Sequence, residues 1–379
     1  MHPRETASVG ILPIGALGVA FFHHLTVGSR RHDGSVVFLG RRGAASDGRW
    51  RADAKLSVET PEGRIDLPLA ELLAGDLPAA AAADCVPGIV LACTNPDQLF
   101  DVLADYVALV EHEHRAGRLL DGAARLPLLM LCANGIYFQR VRRSFIELLE
   151  ESTLLGRLPD LWPDTMPEIV GRLTRGVTIQ TALRRGAGPT AIYRPGPRGR
   201  TLLTGGSHVA RWSAAGQLTA LGGWFEDAGA MLSPTRVEFD KALVNLSANV
   251  FGQLAAIDAA GHFTALTVGE ITAPARHARI RGLVEAVVRV GRGVGVYAAG
   301  ESAEDIYQET LRLLAPAGAH VPSSVQWVEQ QLVAGTLPPG LAPTETWLLA
   351  PLQHYARSLG AAEAIAYFEA LEAELTAAL

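Results

Sequence analysis

The stretch Val9-Gly10-Ile11-Leu12-Pro13-Ile14-Gly15-Ala16-Leu17-Gly18-Val19-Ala20-Phe21-Phe22 decides how this chain folds. Ser8 to Leu12 is a short apolar run of strand character. Gly15 to Leu25 carries its apolar residues at the spacing of a helix that packs on a sheet. Ser35 to Leu39 is a second apolar strand, ending at Gly40-Arg41-Arg42. Strand, glycine turn, helix and strand in that order make a β-α-β unit with parallel strands.

Working outward, Leu56 to Thr60 and Arg64 to Leu67 flank Pro61-Glu62-Gly63 and form a hairpin. Gly88 to Cys93 and Leu126 to Ala133 are continuous apolar runs, as in strands buried on both faces. Between them Leu99 to Arg115 has helical spacing, so strands and helices alternate. After residue 230 strand character fades. Pro234 to Ile257, Ala275 to Val290, Ala303 to Leu314, Ser323 to Val333 and Ala362 to Ala378 are helical, with Ser233 as N-cap and Pro234 at the first helical position. The expected fold is α/β: an N-terminal Rossmann-type doubly wound parallel sheet over residues 1–230, then an all-α C-terminal domain over 231–379. Residues 136–175 enter as a helical insertion, residues 334–344 as a Gly/Pro-rich loop, and Ala79 to Ala83 as compositional bias.

Bulk properties narrow the function. The 379 residues suit about two domains. With 49% hydrophobic and 19% charged residues, the chain has a sizeable core and is not disordered. A net charge of -6 and scattered basic pairs without interleaved aromatics exclude a nucleic-acid binder and a membrane-surface protein. Cys85, Cys93 and Cys132 have no metal spacing and read as buried thiols of a reducing compartment. The apolar stretch Val9 to Phe22 is interrupted by glycines and a proline and has no cleavage site, so a cytoplasmic protein is expected. His112-Glu113-His114 does not share a helix face, which makes it a solvated surface rather than a metal site. His23-His24 read as capping or surface residues.

The first turn carries chemistry. A dinucleotide fingerprint places three glycines as GxGxxG, for a tight turn, close approach to pyrophosphate, and close packing of helix on strand. Here Gly15 and Gly18 hold the second and third places, while Pro13 holds the first and forces a turn of another shape. Phosphate suits the N–H groups of the helix start. At the end of the second strand stand Arg41 and Arg42 and no acid, a pattern that accommodates the 2′-phosphate of NADP rather than the ribose diol of NAD, with Arg41 the first choice.

Far along the chain, Lys241, Asn245 and Asn249 recur at intervals of four between Leu243, Val244, Leu246 and Val250. One helix face therefore bears a lysine and two asparagines, as the wall of a cleft does. Asparagine is a poor helix former, and two in one stripe call for a reason. A lysine of lowered pKa serves as general acid in carbonyl reduction, and asparagines hold carboxylate and hydroxyl groups.

These pieces together resemble the ketopantoate (2-dehydropantoate) 2-reductase family. Gly15-Ala16-Leu17-Gly18 matches the end of its GxGALG loop, Arg41 its second-strand arginine, and Asn134-Gly135 an Asn-Gly pair after a buried strand. Lys241, Asn245 and Asn249 match K-x-x-x-N-x-x-x-N. Gly269-Glu270-Ile271, Ser323-Ser324 and Pro343-Thr344-Glu345 follow in family order, and Arg184-Arg185-Gly186 is similar to a family turn. The resemblance implies an NADP cofactor held by Gly15, Ala16, Leu17, Gly18, Arg41, Arg42, Gln98 and Asn134. It implies a 2-oxo acid substrate held by Asn134, Asn245, Asn249 and Ser324. Lys241 is then the general acid, Glu345 its partner, and the active site lies between the two domains. Apolar helices near the C-terminus suit a homodimer. Departures are the Thr94-Asn95-Pro96 stretch, where the family carries a lysine, the Ala350-Pro351 step in place of Asn-Gly, and extra residues at 136–175 and 325–342. They leave open a larger 2-oxo acid or an imine, as in opine-forming dehydrogenases. The altered Pro13 turn leaves open a nucleotide binder without catalysis.

Overall fold

The computed structural model describes residues 9–26, 35–40, 54–120, 122–158, 161, 164–186, 188–205, 209, 211–212, 216, 218–229, 232–258 and 261–377. Arg41 and Arg42 lie outside the described residues. The chain divides into two compact units, residues 1–133 with 138–234 and residues 134–137 with 235–379.

The strands of the first unit are β1 (Val9–Leu12), β2 (Val36–Phe38), β3 (Lys55–Thr60), β4 (Gly63–Pro68), β5 (Ile89–Ala92), β6 (Leu128–Leu131), β7 (Leu173–Thr178), β8 (Ala182–Arg185), β9 (Ile192–Pro195), β10 (Thr201–Thr204) and β11 (Phe225–Asp227). Its helices are α1 (Ala16–Thr26), α2 (Leu69–Leu72), α3 (Leu77–Ala82), α4 (Leu99–Arg115), α5 (Phe138–Leu154) and α6 (Thr165–Val170). Seven strands form one sheet in the order β11-β10-β7-β6-β5-β1-β2. From β2 through β7 the pairs are parallel, and only β10 runs against β7. Every residue of β5 and β6 is buried, as their unbroken apolar runs require.

The expected α/β architecture is therefore present, with two differences of detail. The stretch expected to be helical over 136–175 ends at α6, and Leu173 already starts β7. α5 and α6 form the crossover that parallel β6 and β7 require. The alanine tract is helix α3, opened by Asp76, whose Oδ1 accepts the Ala79 N–H at 2.8 Å. The hairpin β3–β4 does not extend the main sheet. It belongs to a second sheet, β4-β3-β9-β8, through parallel pairing of Ser57 with Ile192 and Val58 with Tyr193.

That second sheet explains α1, which is apolar almost all round. Phe22 stacks on Phe38 of β2 and Phe21 on Trp224, while His24 reaches Gly196 at the end of β9. His23 and His24 are thus half-buried in packing contacts, against the expectation of capping or surface positions. The stretch His112-Glu113-His114 also departs from a solvated surface. Glu113 is buried and accepts two bonds from Arg118 at 2.7 and 2.6 Å, and neighbouring Glu111 accepts from Ser152 at 2.8 Å. Partnered carboxylates can be buried where lone ones cannot.

The second unit is helical: α7 (Pro234–Ala255), α8 (Val268–Ile271), α9 (His277–Gly293), α10 (Ala303–Leu314), α11 (Ser323–Ala334), α12 (Pro343–Leu359) and α13 (Ala362–Ala377). α7 buries Phe239, Leu243, Leu246, Val250 and Phe251 in its core. The Gly269-Glu270-Ile271 step is a helix start, where Thr267 and Glu270 form a reciprocal capping box. α12 was not expected. Pro351 sits inside it and reads in sequence as a breaker, yet Leu348, Leu349, Leu352 and Ala356 bury one face and hold it. No helix among the described residues is long and apolar enough to cross a membrane.

Candidate active site

In the sheet unit, β1 lies between β5 and β2, where the order of the strands reverses. Ligands of open α/β sheets bind in the crevice beyond the strand ends at such a point. The Gly15 carbonyl accepts the Val19 N–H at 2.8 Å, so the N–H groups of Ala16, Leu17 and Gly18 form the open first turn of α1. A methyl group at Gly18 would run into the Pro13 carbonyl and the Ile11 side chain, which fixes the close packing of helix on strand. A methyl group at Gly15 would meet nothing within 4 Å, so the outer side of the turn is open to a ligand. Pro13 thus changes the turn without filling it.

The loop after β5 lies alongside. The Cys93 N–H donates to the Leu12 carbonyl at 2.6 Å, and the buried Thr94 hydroxyl donates to Gln98 Oε1 at 2.5 Å. Gln98 closes a short 3-10 turn, Pro96–Gln98. The described cofactor candidates Gly15, Ala16, Leu17, Gly18 and Gln98 therefore all lie beyond the carboxyl ends of the adjacent strands β1 and β5. Gly40, just before Arg41, is tied by its N–H to the Gly75 carbonyl at 2.7 Å.

In the helical unit, the polar stripe of α7 continues past its expected end. Lys241 is half-buried, while Asn245 and Asn249 are buried, and Gln253 follows at the same interval of four. Each step of four residues rotates the face by about 40°, so the stripe winds from one neighbour to the next. Asn249 meets the start of α11: its Oδ1 accepts from Ser323 Oγ and the Ser324 N–H at 3.5 Å and from Ser324 Oγ at 3.3 Å. The single Ser324 Oγ proton points chiefly to the Asn249 carbonyl, at 2.7 Å, and is shared with Oδ1 at the longer distance. With its oxygen engaged, Asn249 offers its NH2 group as donor. Gln253 holds the entry to α12, donating to the Gly340 carbonyl at 2.5 Å and accepting the Ala342 N–H at 3.1 Å.

Glu345 lies in the first turn of α12, fully buried, where the partial positive charge of a helix start favours a carboxylate. Asn134 comes from the end of β6, but its segment, residues 134–137, packs in the helical unit. The Ile136 N–H donates to the Trp347 carbonyl of α12 at 3.1 Å, and the Tyr137 N–H donates to Glu238 Oε1 of α7 at 3.3 Å. Segments bearing Asn134, Lys241, Ser324 and Glu345 are thus bonded into one framework. Asn245 is buried on the same stripe of α7, one turn after Lys241. Sequence reasoning missed Gln253 and Glu238. The recurring interval of four pointed to Gln253, whereas nothing local marks Glu238. Among the described residues no group of three or more His, Cys, Asp or Glu side chains gathers to hold a metal.

A parallel-sheet unit with a glycine turn at its reversal point, followed by a helical unit whose first helix carries the Lys-Asn-Asn stripe, defines the class of fold. The particular fold is that of the ketopantoate reductases and of D-mandelate dehydrogenase. D-mandelate dehydrogenase, solved with NADH and anilino(oxo)acetate, superposes with a TM-score of 0.61 at 14% identity, over 98% of this chain and 99% of that one. A dimeric ketopantoate reductase from Staphylococcus aureus gives 0.54 at 13% identity, with the same coverage of 98% and 99%. The 2-dehydropantoate 2-reductase from Geobacter metallireducens gives 0.53 at 18%, again over 98% and 99%. At these identities the likeness is one of fold. No protein-family profile and no curated protein matches the sequence.

Proposed function

We propose that the protein is an NADPH-dependent reductase of a 2-oxo acid, with ketopantoate as the default substrate and a role in pantothenate biosynthesis. One observation carries this reading: Asn134, Lys241, Ser324 and Glu345, far apart in sequence, stand on segments that hydrogen bonds join in the helical unit. A dinucleotide fits the other unit. The open side of Gly15 and the N–H groups of α1 suit pyrophosphate, and Arg41 with Arg42 suits a 2′-phosphate. When bound, the nicotinamide supplies hydride to the carbonyl carbon. Lys241 Nζ–H gives the proton that the resulting alkoxide oxygen requires. The Glu345 carboxylate bonds the substrate hydroxyl and tunes the lysine. The Asn249 NH2 group, Asn245, Asn134 and the Ser324 hydroxyl orient the carboxylate and hydroxyl groups. A homodimer is consistent with the dimeric state named for the Staphylococcus aureus reductase.

A second reading keeps the chemistry and enlarges the substrate to an aryl 2-oxo acid. Two observations favour it: the family lysine is absent at Thr94-Asn95-Pro96, and D-mandelate dehydrogenase superposes with a higher TM-score than the two reductases above. The purified protein, mixed with NADPH or NADH and with ketopantoate, phenylglyoxylate or either acid plus an amine, separates these. Loss of NADPH absorbance with ketopantoate, reduced at least about a hundredfold in Lys241→Ala, is the expected result. Turnover confined to phenylglyoxylate selects the second reading, and a need for amine selects an imine substrate. Nucleotide binding without turnover of any of them would end the reductase proposal.

A further inference from the structure

The proposed chemistry leaves one buried carboxylate of α7 unused. Glu238 is 1% exposed and stands one turn before Lys241. Burying an ionisable group is costly unless bonding compensates it, so its presence calls for a task. Glu238 Oε1 accepts the Tyr137 N–H at 3.3 Å, a bond to the last residue of segment 134–137. The path of that segment is restricted elsewhere too. The Ile136 N–H is held by the Trp347 carbonyl at 3.1 Å, and the Ile136 side chain is buried in the helical core. Gly135 has φ +138°, and a methyl group there would meet the Tyr137 ring at 2.8 Å and the Trp347 carbonyl at 3.2 Å. At the other end, Arg175 is 1% exposed and donates to the carbonyls of Leu131 and Ala133 at 2.7 and 2.8 Å. Asn134 thus follows a carbonyl anchored in the sheet unit and precedes amides anchored in the helical unit.

We propose that Glu238 is a positioning residue for Asn134: its carboxylate fixes segment 134–137 on the helix that bears Lys241, and so aims the Asn134 amide at the substrate. This rests on the reductase reading above. Glu238 touches neither substrate nor cofactor in this role. It acts through a backbone amide, so an acceptor of the same shape replaces it and a methyl group does not.

The test compares wild type, Glu238→Ala and Glu238→Gln in hydrogen exchange at residues 134–137 and in steady-state kinetics with the 2-oxo acid that the wild type reduces. Glu238→Ala is expected to exchange faster at the Tyr137 amide and to raise KM while lowering kcat, for a loss of about tenfold to a hundredfold in kcat/KM. The pH profile set by Lys241 stays in place. Glu238→Gln is expected to keep wild-type protection and most of the activity. Should Glu238→Ala lose protection yet keep KM and kcat, or keep protection while losing activity, the positioning role is overturned and the reductase reading stands. A shift of the pH profile in Glu238→Gln also overturns it, by showing that the charge acts on Lys241 directly. If the wild type reduces no 2-oxo acid, the reading fails and this inference falls with it.

Discussion

At His24 the ring nitrogen that faces the Gly196 carbonyl at 3.1 Å must carry its proton, because a carbonyl only accepts. Burial lowers the pKa of this ring from 6.5 to about 4, helped by its neighbour His23 and by Arg198 and opposed by the Gly196 bond. The folded value lies below the unfolded one, so the unfolded chain binds more protons between the two. Stability is therefore complete above pH 6.5, falls as the pH drops to about 4, and changes no further below that on account of this group. Allowing for solvent screening at a half-buried ring, the loss is about 1–2 kcal/mol. Denaturant titrations of His24→Gln across this window are expected to show a flatter acid limb than wild type. An identical limb would show that the ring is not protonated on unfolding. Asn249 teaches a related lesson at the same scale. Its spacing marked it as polar and inward, but only its bonds to Ser323 and Ser324 show which half of the amide remains to act.

Among the elements, α7 does two jobs along one stripe. Lys241 and Asn245 lie on its earlier turns, whereas Asn249 and Gln253 fasten the starts of α11 and α12. Gln253 governs the approach to Glu345, since Ala342 immediately precedes α12 and its N–H ends on Gln253 Oε1. Gln253→Leu leaves that buried N–H and the Gly340 carbonyl without their partner, at a cost of about 1–3 kcal/mol. The expected outcome is a lower denaturation midpoint together with a fall in turnover, because the first turn of α12 carries the carboxylate. Gln253→Glu keeps the acceptor and loses the donor, and its midpoint should fall between the other two. A Gln253→Leu protein with the wild-type midpoint would show that the loop holds α12 by other means.

For the whole molecule, the sheet unit makes a statement about solvent access that thiols can report. Of the three cysteines expected to be buried only Cys132, at the end of β6, is so; Cys85 and Cys93 are half-buried, Cys93 meets Cys132 from the end of β5, and desolvation pushes the Cys93 thiol well above its usual range. Protonated, enclosed thiols react slowly. In the folded protein a disulfide reagent should therefore modify half-buried Cys85 first, half-buried Cys93 more slowly because its thiol is held protonated, and buried Cys132 only at the rate of unfolding. Rapid reaction of all three in native buffer would contradict the packing of β5 and β6. The same packing shows how much of the molecule the sequence announces. Apolar runs at 88–93 and 126–133, helical spacing at 99–115 and the glycine turn at 15–18 are local signals, and each became the expected element. The four-residue spacing likewise places Lys241, Asn245 and Asn249 on one helix face. What the sequence could not show depends on residues far apart in the chain. The pairing of Val58 with Tyr193, the burial of His24 against Gly196, the persistence of α12 through Pro351, and the capture of segment 134–137 by Glu238 and Trp347 are all of this kind. Secondary structure follows from short-range periodicity and sterics, so residues nearby in sequence determine it. The direction of each polar group is settled by partners that only the tertiary structure brings within a hydrogen bond's reach.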